Sequence, residues 1–110
     1  MMVRHDRQVV LEFKGKIPKT FRCHMKKVIV FGSRAHGEAK KDSDLDLAVL
    51  VDKKNTHLMK ALDDTAYEVM WDHDFKPVIS LKVFAQTAFN KSLRKGFSFY
   101  RHVALKGVSV

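Results

Sequence analysis

Residues 28–51 read VIVFGSRAHGEAKKDSDLDLAVLV, and three pieces follow one another in them. Val28, Ile29, Val30 and Phe31 are consecutive β-branched or aromatic residues, the pattern of a strand buried on both faces. This strand, read as Lys26–Phe31, stops at Gly32. The stretch Gly32–Ser43 is polar and reads as a loop, with one helical turn starting after Ser33. A second strand, Asp44–Val51, opens with Asp-x-Asp. Successive side chains of a strand point to opposite sides. Asp44, Asp46, Ala48 and Leu50 therefore share one face, and Leu45, Leu47, Val49 and Val51 the other.

The chemistry of this stretch lies in its two polar corners. Gly32 has no side chain, so backbone and ligand can approach closely there. Ser33 adds a hydroxyl and opens a turn whose amides face whatever lies beyond the strand end, a phosphate-binding arrangement. Arg34 adds a guanidinium that meets a phosphate bidentately if it turns inward. Gly32 and Gly37 have P-loop spacing, but Glu38-Ala39 follows where Lys and Ser/Thr are required, and there is no G-x-G-x-x-G. Alone, Gly-Ser is better explained by a turn that ends a strand. Asp44 and Asp46 project two carboxylates from one strand face, with Cα atoms roughly 6.5–7 Å apart. Oxygen ligands held this way select Mg²⁺ or Mn²⁺, with water and phosphate completing the shell. A solvated strand face is the plainer reading of Asp-x-Asp, but the same face continues as Ala48 and Leu50.

Outward from this stretch, Val10, Phe13, Ile17, Phe21 and Met25 have near-helical spacing. Gly15 and Pro18 divide the segment into a helix near 4–14 and a helical turn near 18–24. After a charged turn, Thr56–Trp71 reads as an amphipathic helix with Asn55 or Thr56 as its N-cap. Leu58, Leu62, Ala66, Val69 and Met70 face inward; Lys60, Asp63, Asp64, Tyr67 and Glu68 face out. Pro77–Phe84 is a strand, and two helices follow over Gln86–Lys95 and Phe97–Lys106, with Gly107 as the C-cap. The order α–β–β–α–β–α–α gives an α+β (α/β layer) fold: a small mixed sheet of three or more strands flanked by helices.

A chain of 110 residues, 45% apolar and 10% aromatic, fits one folded domain over 1–110 and excludes disorder throughout. The single Cys23 excludes an internal disulfide and reads as a packing residue of a reducing, cytoplasmic compartment. No apolar run spans a membrane, and no signal peptide is read at the N-terminus. The net charge is +9 and is unevenly spread. Residues 1–41 carry 11 basic and 3 acidic side chains, residues 42–74 carry 3 and 9, and residues 75–110 carry 7 and none. An acidic middle between basic flanks fits a cation-binding carboxylate site within phosphate-attracting surface.

Together, Phe31-Gly-Ser-Arg-Ala-His-Gly and Ser43-Asp-Leu-Asp-Leu resemble the signature of the nucleotidyltransferase superfamily that includes DNA polymerase beta, in particular its minimal nucleotidyltransferases. The motifs cover about residues 28–52, and the element order agrees over essentially the whole chain. The resemblance implies the nucleotidyltransferase fold, with transfer of a nucleoside monophosphate from a triphosphate, ATP being the expected donor, to a hydroxyl. It makes Gly32 and Ser33, with Arg34 and Ser43 beside them, the nucleotide-binding residues. Asp44 and Asp46 become the catalytic ligands of Mg²⁺ or Mn²⁺. It also implies a third carboxylate on a later strand. VISLKVF, residues 78–84, has none; Ser80 or Lys82 stands there, and Asp74 is the nearest candidate third ligand. Relatives of this type pair with a helical HEPN protein, so the alternative expectation is an antitoxin-like interaction module. A homodimer is a further expected assembly. No motif supports a nucleic-acid partner beyond the basic flanks. His36 and His73 read as polar loop residues. Phe97, Phe99 and Tyr100 have the spacing of core residues rather than of a base-stacking platform.

Overall fold

The computed structural model describes residues 1–38 and 42–110; the part of the expected loop at 39–41 lies outside them. Helices α1 (Arg4–Lys16) and α2 (Lys19–Arg22) precede strand β1 (Met25–Phe31) and a 3-10 turn (Ser33–His36). Strand β2 (Leu45–Val51), helix α3 (Thr56–Asp72), strand β3 (Ile79–Ala85), helices α4 (Gln86–Arg94) and α5 (Ser98–Lys106) and a short strand β4 (Val108–Ser109) complete the order. The sheet runs β3-β2-β1-β4. β1 is antiparallel to both neighbours, and β2 and β3 are parallel, joined through α3.

Each face of this sheet has its own core. Val28 and Val30 of β1, Leu45, Leu47, Val49 and Val51 of β2, and Ile79 and Val83 of β3 pack beneath α1 and α3. Ile29, Ala48 and Leu50 pack on the other face with Phe89 of α4 and Val103 of α5. β2 is thus buried on both sides, which explains its near-continuous apolar sequence. The α3 stripe is as expected. Leu58, Leu62, Ala66 and Val69 are buried, the leucines and the valine each stabilising by about 1.5–3 kcal/mol. Asn55 is the cap, its side chain accepting from the Leu58 amide at 2.8 Å.

Five local expectations are corrected. α1 runs through Gly15 to Lys16, because the buried stripe Val9, Val10, Phe13 outweighs one glycine's poor helix propensity. β2 starts at Leu45, so Asp44 stands just ahead of the strand, and β3 is Ile79–Ala85. Gly107 is extended (φ −69°) rather than a left-handed cap. It is small because a Cβ would strike the Ile29 side chain and the Val103 carbonyl as the chain turns into β4. Cys23 is exposed, at the end of a four-residue helix that buries none of its residues.

Candidate active site

Three strand ends meet at one edge of the molecule. Phe31 at the end of β1 is opposite Asp46 near the start of β2, and Leu45 is opposite Ile79 at the start of β3. The Leu45 amide donates to the Val78 carbonyl at 2.8 Å, which fixes the two parallel strands at their common origin. The polar corners of the sequence therefore converge: the 3-10 turn leaves the end of β1 where Asp44 and Asp46 enter β2.

Gly32 is held at φ 75°, ψ −162°, a conformation open essentially to glycine. A Cβ there would lie 2.5 Å from Oδ2 of Asp46. The missing side chain thus lets the turn pass against the carboxylate. Ser33 is exposed at the head of the turn, and Gly37, at φ 74°, ends it.

Asp44 is exposed and Asp46 is half-buried. Burial, and then the charge of Asp44, push the Asp46 carboxyl above the usual aspartate range. The Lys82 ammonium and a hydrogen bond with the Ser80 side chain pull it back. Both come from β3, where Ser80 is opposite Asp46 and Lys82 opposite Ala48. These two residues stand where the sequence left a third carboxylate missing. Asp74 lies in the turn after α3, at φ 54°, its amide donating to Trp71. Among the described residues no three His, Cys, Asp or Glu side chains group as a metal site, so Asp74 does not join Asp44 and Asp46 in one.

Arg34 turns to Asp6 of α1. Its Nη1 donates to both carboxylate oxygens, at 3.0 and 3.1 Å, and its Nε donates to the Ser43 carbonyl at 2.7 Å. Asp6 is 2% exposed and the Arg34 side chain 13%. One guanidinium thereby ties the turn to α1 and to the residue before Asp44. Sequence reasoning missed Asp6, although a signal was present. Asp6 shares a helical stripe with Val9, Val10 and Phe13, and a carboxylate on an apolar stripe needs a partner.

His36 and His73 are loop residues with structural bonds: His36 Nε2 to the Lys106 carbonyl at 2.7 Å, and His73 Nε2 to Glu12 at 2.8 Å. Phe99 and Tyr100 pack with Phe31, Phe84 and Phe89, as their spacing predicts, whereas Phe97 is exposed. Beside the carboxylates, a cavity of about 250 Å³ is lined by Asp42, Ser43, Phe75, Lys76, Pro77 and Val78.

The sequence pattern of the family described as polymerase beta, nucleotidyltransferase, matches residues 15–96. The chain belongs to that family. A protein of Methanocaldococcus jannaschii named as a putative protein adenylyltransferase is 26% identical over 103 residues, covering 94% of this chain and 95% of its own. This member of the family thus carries the Gly-Ser turn and the Asp44–Asp46 pair at adjoining strand ends. The donor set at that corner fits a divalent cation. Burial and then the charge of Asp44 push Asp46 toward its protonated form, and a hard cation at the two carboxylates would offset both effects. No helix among the described residues is long and apolar enough to cross a membrane.

Proposed function

We propose that residues 1–110 act as a metal-dependent adenylyltransferase domain that transfers AMP from ATP to a hydroxyl on a protein. The observation that carries the reading is the convergence of Gly32 with Asp46, a glycine-only turn passing directly against a carboxylate. The protein acceptor is taken from the name of the M. jannaschii relative. Gly32, Ser33 and Ser43 line the triphosphate, with Arg34 holding the turn in place. Asp44 and Asp46 hold Mg²⁺ or Mn²⁺, which when bound neutralises charge developing on the phosphoryl oxygens. The acceptor oxygen attacks the α-phosphorus and forms a new P–O bond. The α–β bridging bond breaks, pyrophosphate leaves, and the hydroxyl proton passes to solvent. The residues contribute by positioning and charge rather than by covalent chemistry.

The test is calorimetric titration of ATP with and without Mg²⁺, together with transfer of label from ATP carrying it at the α- or the γ-phosphate. Wild type should bind only with Mg²⁺ and transfer α-label only. Asp44→Asn/Asp46→Asn should lose binding and lower transfer more than about 100-fold. Equal behaviour of the two proteins would overturn the reading.

A second reading has its own observation. Tyr67 and Trp71 on α3 are 53% and 61% exposed and stand edge to face. Large exposed aromatics suit a protein contact. On this reading the chain is an interaction module for a helical, HEPN-type partner, with little catalysis. A folded wild type that binds no ATP would move the function there.

A further inference from the structure

Lys82 acts on the Asp46 carboxylate from the sheet edge. β3 is an outermost strand, and its register sets Ser80 opposite Asp46 and Lys82 opposite Ala48. Residues opposite one another share a face, so these four side chains lie on the side covered by α4 and α5. A strand spacing of about 4.8 Å and a step of roughly 7 Å along the strand separate the Lys82 backbone from that of Asp46, within reach of a lysine stem. Ala48 beside it is fully buried, yet Lys82 is exposed, so the helices leave its ammonium open at this corner. Among the described residues, the charges that act on Asp46 are Asp44, just ahead of β2, and Lys82 from β3.

Two cations that clamp a phosphoryl transfer sit about 3.5–4 Å apart and need carboxylates for both. Among the described residues Asp44 and Asp46 are joined by no third acid in a metal-binding group. A second ion would find no third acid among the described residues and would meet a fixed ammonium of like charge.

We propose that Lys82 is a built-in cation of the nucleotide site, so that the chain works with a single divalent ion and the ammonium holds triphosphate oxygens where a second ion would. This rests on the nucleotidyltransferase reading of the site. A lysine presents a compact charge with three donors, suited to phosphate oxygens. Edge lysines also discourage strand pairing, but that role requires no effect on nucleotide binding.

The experiment titrates Mn²⁺ into the full chain, read by electron paramagnetic resonance, with an ATP analogue whose α–β linkage cannot be cleaved. Wild type, Lys82→Met and Lys82→Arg are compared. The expected result is one Mn²⁺ per analogue-bound wild-type chain. Lys82→Met should bind the analogue about tenfold more weakly or worse at saturating Mn²⁺. Lys82→Arg should recover most of the affinity. Two Mn²⁺ per wild-type chain, or equal analogue affinity in wild type and Lys82→Met, overturns the role of Lys82 alone. Failure of the folded wild type to bind the analogue overturns that role together with the reading beneath it.

Discussion

The Asp46 carboxyl holds its proton more firmly than an ordinary aspartate because burial disfavours the anion and Asp44 adds a negative charge beside it. A folded-state pKa raised above the unfolded value means that the native state binds the proton more tightly. The resulting stability is full below the unfolded value and is lost as pH rises through the folded one. At neutral pH, without metal, the ionised Asp46 therefore opposes folding. Asp46→Asn keeps a partner for Ser80 and removes the charge. In EDTA it should melt above wild type at about pH 7, with the gap closing toward about pH 3. Mg²⁺ with ATP should reverse the order. Thermal melts across that range check it, and a lower melting point for Asp46→Asn in EDTA at neutral pH would sink the account. At this scale the sequence is informative where function is local. Asp44 and Asp46 are two residues apart, close enough in sequence for the Asp44 charge to act on Asp46 although Asp44 stands just ahead of the strand. Gly32 must be glycine for its positive φ and also for a reason that is not local, since the obstructing atom belongs to Asp46 across a strand pair.

Helix α1 lies largely outside the span of the family match, yet it is bonded to the site. Asp6 and Arg34 are separated by 28 positions, and their pairing depends on how α1 docks on the sheet. Helical periodicity places Asp6 on the buried stripe but cannot name the cation that meets it. Removing one partner of a buried pair leaves the other charge uncompensated. Asp6→Ala should thus lose about 3–5 kcal/mol in urea unfolding. Asp6→Ala/Arg34→Met should recover part of that stability but not the ATP affinity, because the bond from Arg34 Nε to the Ser43 carbonyl is gone. Full recovery of ATP affinity in the double variant would show that the tie has no part in shaping the turn. The legibility of the other elements follows their length. α3, with four full turns and a cap, is visible from its apolar period. β4 is two residues long and carries no period. It forms because Gly107 lets the chain turn tightly against Ile29.

Across the whole molecule the acids of α3 and the bases of α4 and α5 lie on opposite faces of the sheet. The acids of α3, Asp63, Asp64 and Glu68, are exposed on the side shared with α1, where Lys16 pairs with Asp72 at 2.6 Å and Glu68 at 3.5 Å. On the other side, α4 and α5 expose Lys91, Arg94, Lys95, Arg101 and Lys106. Asp46 lies on that basic side, so under the proposed function a nucleotide polyanion would approach over positive surface toward a cation held by Asp44 and Asp46. Such a field raises the encounter rate and is screened by salt, the Debye length shrinking from about 10 Å at 0.1 M to about 3 Å at 1 M. Stopped-flow binding of a fluorescent ATP analogue with Mg²⁺ should therefore show an association rate that falls several-fold between about 0.05 and 0.5 M salt. The dissociation rate should change much less, because bonds in the closed corner lie within a few ångströms. An association rate indifferent to salt would mean that the basic face of α4 and α5 does not steer the nucleotide, and its charge would then belong to a partner surface instead.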